Sequence, residues 1–376
     1  MLTLRQPKLH LQMDHYDKQD LLIGPEKITP GSVHWECPSN LAIVKYWGKY
    51  GRQLPRNPSI SFTLNNACTT TTLAYKARST KSDGIQLDFL FEGKENPAFH
   101  KKVAGFLESI LSIFPFLSQL DIKIESSNSF PHSAGIASSA SAMGALALCL
   151  CSVEKQLFGS LQDEAAFLQK ASYVARLGSG SASRSLYPTM AIWGTSTAVD
   201  NSSNLFAIPW HEQVAPIFQT FHDDIMIVSK AEKSVSSRAG HGLMENNIYA
   251  DLRYQQANER FEQLLQALQH GDIATFGKIA EDEALTLHAL MMASEPSYIL
   301  MQPNTITMIE RIRAFRKETG IPAFFSLDAG PNIHLLYPDE NKKAVKQFIS
   351  KVLAPLCENG TVIEDQVGSG PVKFEQ

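Results

Sequence analysis

The chain of 376 residues carries 34 Lys and Arg against 38 Asp and Glu, a formal charge of −4, with 44% hydrophobic and 19% charged residues. This balance excludes disorder as the dominant state and offers nucleic acid no strong basic field, so any anionic ligand must be held by a local pocket of Lys, Arg and backbone N–H groups. The length exceeds what a single core usually fills, and two domains are expected.

The first 30 or so residues read as a loosely held extension: MLTLRQPKLHLQMDHYDKQD carries acids and histidines and has no apolar stretch followed by a small-residue cleavage site, so it is not a secretory signal. After Pro30 the apolar period is two. Ile60, Phe62 and Leu64 alternate with Ser61 and Thr63, a threonine-rich run follows from Thr69 to Tyr75, and Ile85, Leu87, Phe89 and Phe91 alternate again, which predicts a meander of strands. Phe99, Val103, Phe106, Leu107, Ile110 and Phe114 then recur every three or four residues, as on one face of a helix, before Leu120, Ile122 and Ile124 return to period two.

A polar, glycine-containing turn from Ser126 to Ser139 runs into an alanine-rich segment. The uncharged stretch Ser133 to Val153 is interrupted by five serines, and its apolar part, Ala142 to Cys151, is about half the roughly 20 residues a bilayer span requires. It reads as a buried helix, and no membrane partner is expected. Ser160 with Asp163 suggests a capping box for a helix ending near Leu177, and Met190 to Trp193 a strand. Asn201 to Pro216, opening with Asn-Ser-Ser-Asn and holding two prolines, is the candidate domain boundary. Beyond it, strands are expected at Ile225 to Val228, Phe324 to Leu327, Ile333 to Tyr337 and Val362, and helices over Met244 to Leu268, Ile306 to Lys317 and Lys342 to Leu353. No internal repeat is visible. The five cysteines, Cys37, Cys68, Cys149, Cys151 and Cys357, form no C-x-x-C pair, which argues against a disulfide framework or zinc knuckle and fits a reducing cytoplasm.

Several loops carry chemistry. PHSAGIASSAS places small residues between a strand and a helix, where backbone can approach a ligand and the free N–H groups of the helix face an anion; a helix start that merely requires a cap gives the same pattern. Neither a Walker A motif nor G-x-G-x-x-G occurs, which argues against a P-loop NTPase or a Rossmann dehydrogenase. GSGSASRS, from Gly178, offers hydroxyls beside Arg184, whose guanidinium can fork onto a carboxylate or phosphate; a flexible linker is the alternative. Lys45-Tyr46-Trp47-Gly48-Lys49 packs two cations and two aromatics into five residues, and SVSSRAG (234 to 240) follows Lys230 and Lys233. Asp328 emerges from a strand end into Ala329-Gly330-Pro331-Asn332, where a carboxylate either caps the turn or serves a site. The histidines form no H-x-x-x-H or H-E-x-x-H pair, so no transition-metal site is expected.

Taken in order, SNLAIVKYWGK (39 to 49), NPSISFTL (57 to 64), PHSAGIASSAS (131 to 141), ARLGSGSASRS (175 to 185), KSVSSRAG (233 to 240) and SLDAGPN (326 to 332) closely resemble mevalonate diphosphate decarboxylases, relatives of galactokinase, homoserine kinase, mevalonate kinase and phosphomevalonate kinase. The resemblance covers roughly residues 33 to 370. It implies a two-domain α+β fold: an extension over residues 1–32, an ATP-binding domain like the second domain of ribosomal protein S5 over 33–210, and a ferredoxin-like domain over 211–376. The implied activity is ATP- and Mg²⁺-dependent phosphorylation of the 3-hydroxyl of mevalonate 5-diphosphate, followed by loss of phosphate and carbon dioxide to give isopentenyl diphosphate, in a cytoplasmic homodimer.

Carried over by position, Asp328 matches the catalytic aspartate and Arg184 the arginine that holds the substrate carboxylate. Ser179, Ser181 and Asn40 match the substrate pocket, and Tyr46, Lys49, Ser237 and Arg238 its diphosphate end, with Lys49 counted among the catalytic cations. Gly135, Ala137, Ser138 and Ser139 fall in the ATP phosphate loop, where Ser138 or Ser139 could also meet the magnesium. The chain departs from the family's usual residues at His132-Ser133, where Thr-Ala is common, at Tyr50, where arginine is usual, and at His241, where methionine is more usual. Rival readings are a mevalonate 5-phosphate decarboxylase, a mevalonate 3-kinase that stops before decarboxylation, and a silent metabolite-binding paralogue. Retention of Asp328, Lys49 and Arg184 together favours the full decarboxylase.

Overall fold

A computed structural model describes residues 16–17, 20–79, 84–131, 136–231, 235 and 237–375. The first half holds strands β1 (Gly31–Val44), β2 (Lys49–Tyr50), β3 (Leu54–Pro55), β4 (Ser59–Ala77), β5 (Gln86–Phe91) and β6 (Lys94–Glu95), helix α1 (Pro97–Ser109), β7 (Leu120–Asn128), α2 (Ser138–Phe158), α3 (Glu164–Gly178), β8 (Met190–Trp193) and β9 (Ala207–Pro209). The second holds α4 (Pro216–Gln219), β10 (His222–Met226), α5 (Ser237–Gly242), α6 (Ala250–His270), α7 (Ile273–Met292), α8 (Pro303–Thr319), β11 (Phe324–Ser326), β12 (Ile333–Tyr337), α9 (Lys342–Phe348), β13 (Val362–Ile363) and β14 (Val372–Phe374).

The alternating runs near the start become one bent strand of 19 residues, β4, which pairs antiparallel with β1 along its length, with β8 through Ser59 to Phe62 and with β7 from Thr69. Alternation there does not mean one wet face. Ser59, Ser61 and Thr63 are as buried as Ile60, Phe62 and Leu64, because the polar side turns towards the Gly180–Leu186 turn and hydrogen-bonds there. α1 starts where Asn96 accepts the Phe99 N–H (3.0 Å), and it carries the chain across so that β5 and β7 run parallel.

α2 is long and apolar enough to cross a bilayer by length and composition, yet it lies inside the fold, packed between β1 and α3. Its approach to β1 is close: a Cβ at Gly144 would lie 2.5 Å from Cys37 Sγ. All five cysteines are unpaired and buried.

The second sheet is antiparallel in the order β11-β12-β10-β13, with α7 and α8 against β11. The two sheets share one core, in which Phe62 and Met190 of the first meet Phe218, Phe221, Phe261 and Phe276 of the second half. The chain also returns. After β13, Asp365 accepts the N–H groups of Asn65, Asn66 and Ala67 (2.8, 2.9 and 2.7 Å), and β14 pairs antiparallel with β1 at the edge of the first sheet.

Four expectations are corrected. The described part of the N-terminal extension is anchored: Leu21 and Ile28 are buried, and the Gln119 amide accepts from the Ile23 N–H (3.1 Å) while donating to its carbonyl (2.7 Å). Asp163 itself is the N-cap of α3, accepting from the Ala166 N–H (2.8 Å), while Ser160 donates to Glu154. α6 begins at Ala250 instead of near Met244, because Asn247 closes a turn onto the Tyr249 N–H (2.9 Å). Helix α7 is absent from the expected elements, although Gly271 after α6 and Asp272, which accepts from the Thr275 N–H (3.0 Å), are an ordinary stop and start.

Candidate active site

β1 ends at Val44 and the chain turns at Gly48 with φ +97°, where any Cβ would lie 2.2 Å from the Tyr254 hydroxyl. This turn sets Lys45, Tyr46, Trp47 and Lys49 around a cavity of about 1070 Å³ between the two sheets. Of the residues named from sequence, Asn40, Tyr46, Lys49, Ala137, Ser139, Ser179, Ser181, Arg184 and Asp328 all line it. Ser138 opens α2 but is not part of the lining. Gly135 and the side chains of Ser237 and Arg238 lie outside the described residues.

At the turn after Asp328, the Gly330 N–H donates to the Asp328 main-chain carbonyl (2.7 Å). The carboxylate accepts from Lys45 Nζ at 3.0 Å, and Lys45 also donates to Ser326 Oγ (2.9 Å). The pair joins the two lobes across the cavity floor, with the Lys45 side chain 3% and the Asp328 side chain 23% exposed.

Lys45 is held from behind by buried charge. Its N–H donates to Glu283 Oε2 (2.8 Å), its carbonyl accepts from Arg253 (3.2 Å) and Asn57 (3.1 Å), and Arg253 grips Glu283 through both nitrogens at 2.6 Å while Arg260 adds a third bond at 2.8 Å. Burial opposes a charge on Glu283, but the two arginines and the Lys45 N–H outweigh it and hold its carboxyl below the usual range.

Arg184, 1% exposed, faces the pair from the first lobe. Its Nε and Nη1 donate to Ser61 Oγ (3.0 Å) and Ser59 Oγ (2.8 Å), and no carboxylate lies within ion-pair distance among the described residues. Burial pushes its pKa down to about 10, with Asp328 and Tyr46 acting the other way. Its guanidinium also lies 5.8 Å from the Trp193 ring centroid, and a buried cation held by hydroxyls and an aromatic face, on a cavity wall, leaves its charge for an incoming anion. Beside it, Asn40 donates to Ser181 O (3.0 Å) and Ser185 Oγ (2.8 Å), and its Oδ1 and the Tyr46 hydroxyl are buried without a partner among the described residues. Burial raises the Tyr46 pKa, so the hydroxyl keeps its proton.

The other end of the cavity is built differently. α2 points its N-terminus there from Ala137, held at φ +44°, and the preceding carbonyl of Ile136 is tied to β1 by Ser39 Oγ (2.6 Å). Ser139 Oγ lies 3.1 Å from Ser179 Oγ. Free N–H groups and the positive end of a helix of 21 residues suit phosphate oxygens. Lys101 and Lys102 of α1 join this wall.

Sequence reasoning includes Lys45 in a motif without giving it a role, and it leaves out Lys101, Lys102 and the Glu283–Arg253 clamp. Lys45 could have been found from the unbroken apolar run Leu41–Val44, which marks a strand buried on both faces, so that the next residue enters the core of the site. The clamp comes from α6 and α7, 208 and 238 positions away, and no local pattern reports it.

The chain is similar to known proteins over most of its length. Residues 37–205 match the family model of the diphosphomevalonate decarboxylase-like N-terminal domain, and residues 224–373 that of the mevalonate 5-diphosphate decarboxylase C-terminal domain. The chain is 31% identical to the diphosphomevalonate decarboxylase of Debaryomyces hansenii over 334 residues, 84% of this chain and 81% of the other. It is 30% identical to that of Saccharomyces cerevisiae over 335 residues, 84% and 80%. Among solved structures, MDDEF in complex with MVAPP, AMPPCP and magnesium matches with TM-score 0.76 at 28% identity, covering 93% of this chain and all of that one. The mevalonate diphosphate decarboxylase from Staphylococcus aureus matches with TM-score 0.78 at 26% identity, covering 92% and 99%.

Proposed function

The chain belongs to the diphosphomevalonate decarboxylase family, and from that premise we propose how its residues divide the work. The reaction is the ATP-dependent decarboxylation of mevalonate 5-diphosphate, with ATP and Mg²⁺ as cofactors. The γ-phosphoryl group passes to the tertiary 3-hydroxyl and ADP departs. The C3–O bond then breaks with its electrons on phosphate, and the electrons of the C1–C2 bond close the C2–C3 double bond as carbon dioxide leaves.

Asp328 orients the 3-hydroxyl and accepts its proton, and its negative charge faces the positive charge that develops at C3. Lys45 holds that carboxylate in place. Arg184 forks onto the C1 carboxylate, Asn40, Ser179 and Ser181 line the same pocket, and Tyr46, Lys49, Ser237 and Arg238 surround the diphosphate. Gly135, Ala137, Ser138 and Ser139 with the start of α2 hold the ATP phosphates. Magnesium, when bound there, would neutralise charge on those phosphates. Among the described residues no three His, Cys, Asp or Glu side chains stand together as a metal site, which suits an ion carried by the nucleotide with a Ser138 or Ser139 hydroxyl as its protein contact.

The observation that carries this reading is the juxtaposition of the Lys45–Asp328 pair with a buried Arg184 that has no carboxylate of its own. The test is incubation with ATP, Mg²⁺ and, in turn, mevalonate, its 5-phosphate and its 5-diphosphate, following ADP and carbon dioxide separately. Equal release of both from the 5-diphosphate is expected; ADP alone would identify a kinase, and preference for the monophosphate a different decarboxylase. The same reading includes a homodimer, to be tested by sedimentation, and a cytoplasmic location, supported by the five unpaired cysteines. It keeps the domain division at residues 210 and 211, with β14 returning to the first sheet.

A further inference from the structure

His241 lines the cavity wall beside Tyr46, Trp47 and Lys49. Its ring lies between those of Tyr46 and Trp47, with centroids 4.2 and 4.6 Å away. Nδ1 is 3.0 Å from the Gly48 main-chain nitrogen, whose N–H can only donate, so Nδ1 carries no proton and accepts. The neutral ring therefore has its hydrogen on Nε2. A second proton would set Nδ1–H against the Gly48 N–H, and burial together with the Lys49 ammonium push the His241 pKa down to about 3. Among the described residues the one hydrogen bond of the ring is that at Nδ1.

We propose that His241 is a specificity-determining residue, its Nε2–H donating to an anionic oxygen of the substrate diphosphate alongside Lys49. This rests on the functional reading above. The place of the ring supports it: it touches Tyr46 and follows the Ser237–Arg238 start of α5, all assigned to the diphosphate end. Methionine at this position fills the same space between two rings but donates nothing, so the histidine adds directional recognition to a subsite otherwise served by flexible cations. A neutral donor also suits a place beside Lys49, since a second fixed charge there would cost more to bury.

The two nitrogens can be separated by substitution. His241→Gln retains a donor near the Nε2 position and gives up the acceptor for Gly48; His241→Asn retains the acceptor and gives up the donor; His241→Met retains neither. With ATP saturating, the Asn and Met variants are expected to raise KM for mevalonate 5-diphosphate about tenfold above the Gln variant, the usual scale for a hydrogen bond to a charged group. KM for ATP should stay within about twofold, and the preference for the 5-diphosphate over the 5-phosphate should shrink. Thermal melting reports the turn at Gly48 independently, and should be lowered in Gln and Met more than in Asn. If Asn keeps the wild-type KM while Gln loses it, or if KM for ATP rises in step, His241 only supports the turn and the proposal falls. Carbon dioxide release by the wild-type protein separates the two levels: its absence with the 5-diphosphate overturns the functional reading itself, whereas its presence leaves the role of His241 to be decided by the variants.

Discussion

The two ends of the cavity hold anions by opposite means. At the carboxylate end, Arg184 and Lys45 are almost wholly buried, and their side chains are gripped by groups fixed on β4 and at the end of β11. At the phosphate end, charge comes from a helix N-terminus and from lysines of α1 and β2 that reach the cavity on long stems. On the proposed division of work the C3–O and C1–C2 bonds break at the first end, where fixed, desolvated groups act strongly and little reorganisation is left for the transition state. At the second, the proposed phosphoryl transfer frees ADP, so the fixed N–H groups at the start of α2 face the transferring phosphates while the lysines add charge from their long stems.

Substitutions at the two ends should therefore differ in kind. The largest effect is expected for Asp328→Asn, which keeps size but removes charge and proton acceptor: turnover should fall by about 10² to 10⁴-fold while both ligands still saturate. Melting temperature should also drop, because buried Lys45 loses its counter-charge. Near-normal carbon dioxide release by this variant would dissolve the contrast between the ends. Next comes Arg184→Lys, for which several tens-fold loss of kcat/KM is expected, since lysine cannot both reach Ser59 and Ser61 and fork onto a carboxylate; activity within threefold of wild type would remove Arg184 from the site. At the phosphate end, Lys101→Ala and Lys102→Ala should each raise a KM only about two- to fivefold, with added salt erasing most of the difference. A salt-independent loss of turnover would place these lysines with the fixed groups.

The smallest effect at assay pH concerns the clamp behind Lys45. The folded-state pKa of Glu283 lies below its ordinary 4.5, so its contribution to stability is fully present above that value and is lost as pH falls below it. Melting curves of the wild type should show this loss beginning near pH 4.5, and Glu283→Gln should be less stable at neutral pH with a shallower acid slope. An unchanged slope would mean that other carboxylates carry the acid response.

Much of this was legible from the residues. Strands β8 and β12 fall where the largely apolar runs Met190–Trp193 and Ile333–Tyr337 place them, and nine of the named site residues meet in one cavity. What escaped were long-range partners. Ser59 and Ser61 read as the wet face of a strand until Arg184, over 120 positions later, is laid against them. α7 escaped because its apolar residues continue almost all round the helix, as befits an element buried between α6 and a sheet, so no clean stripe appears.

The return of β14 to β1 and the phenylalanine core that joins the two halves have a mechanical meaning. A protein whose halves are joined by a single tether can open like a book; here the polypeptide crosses between the halves once near residue 215 and again at Asp365, and aromatic packing fills the spine. The halves are bolted at two points and glued between them. A single proteolytic nick at the Asn201–Asn204 turn would leave both pieces associated, and melting should proceed as one transition with no half surviving the other. Admission to the cavity then falls to the side chains at its mouth, above the Lys45–Asp328 bridge.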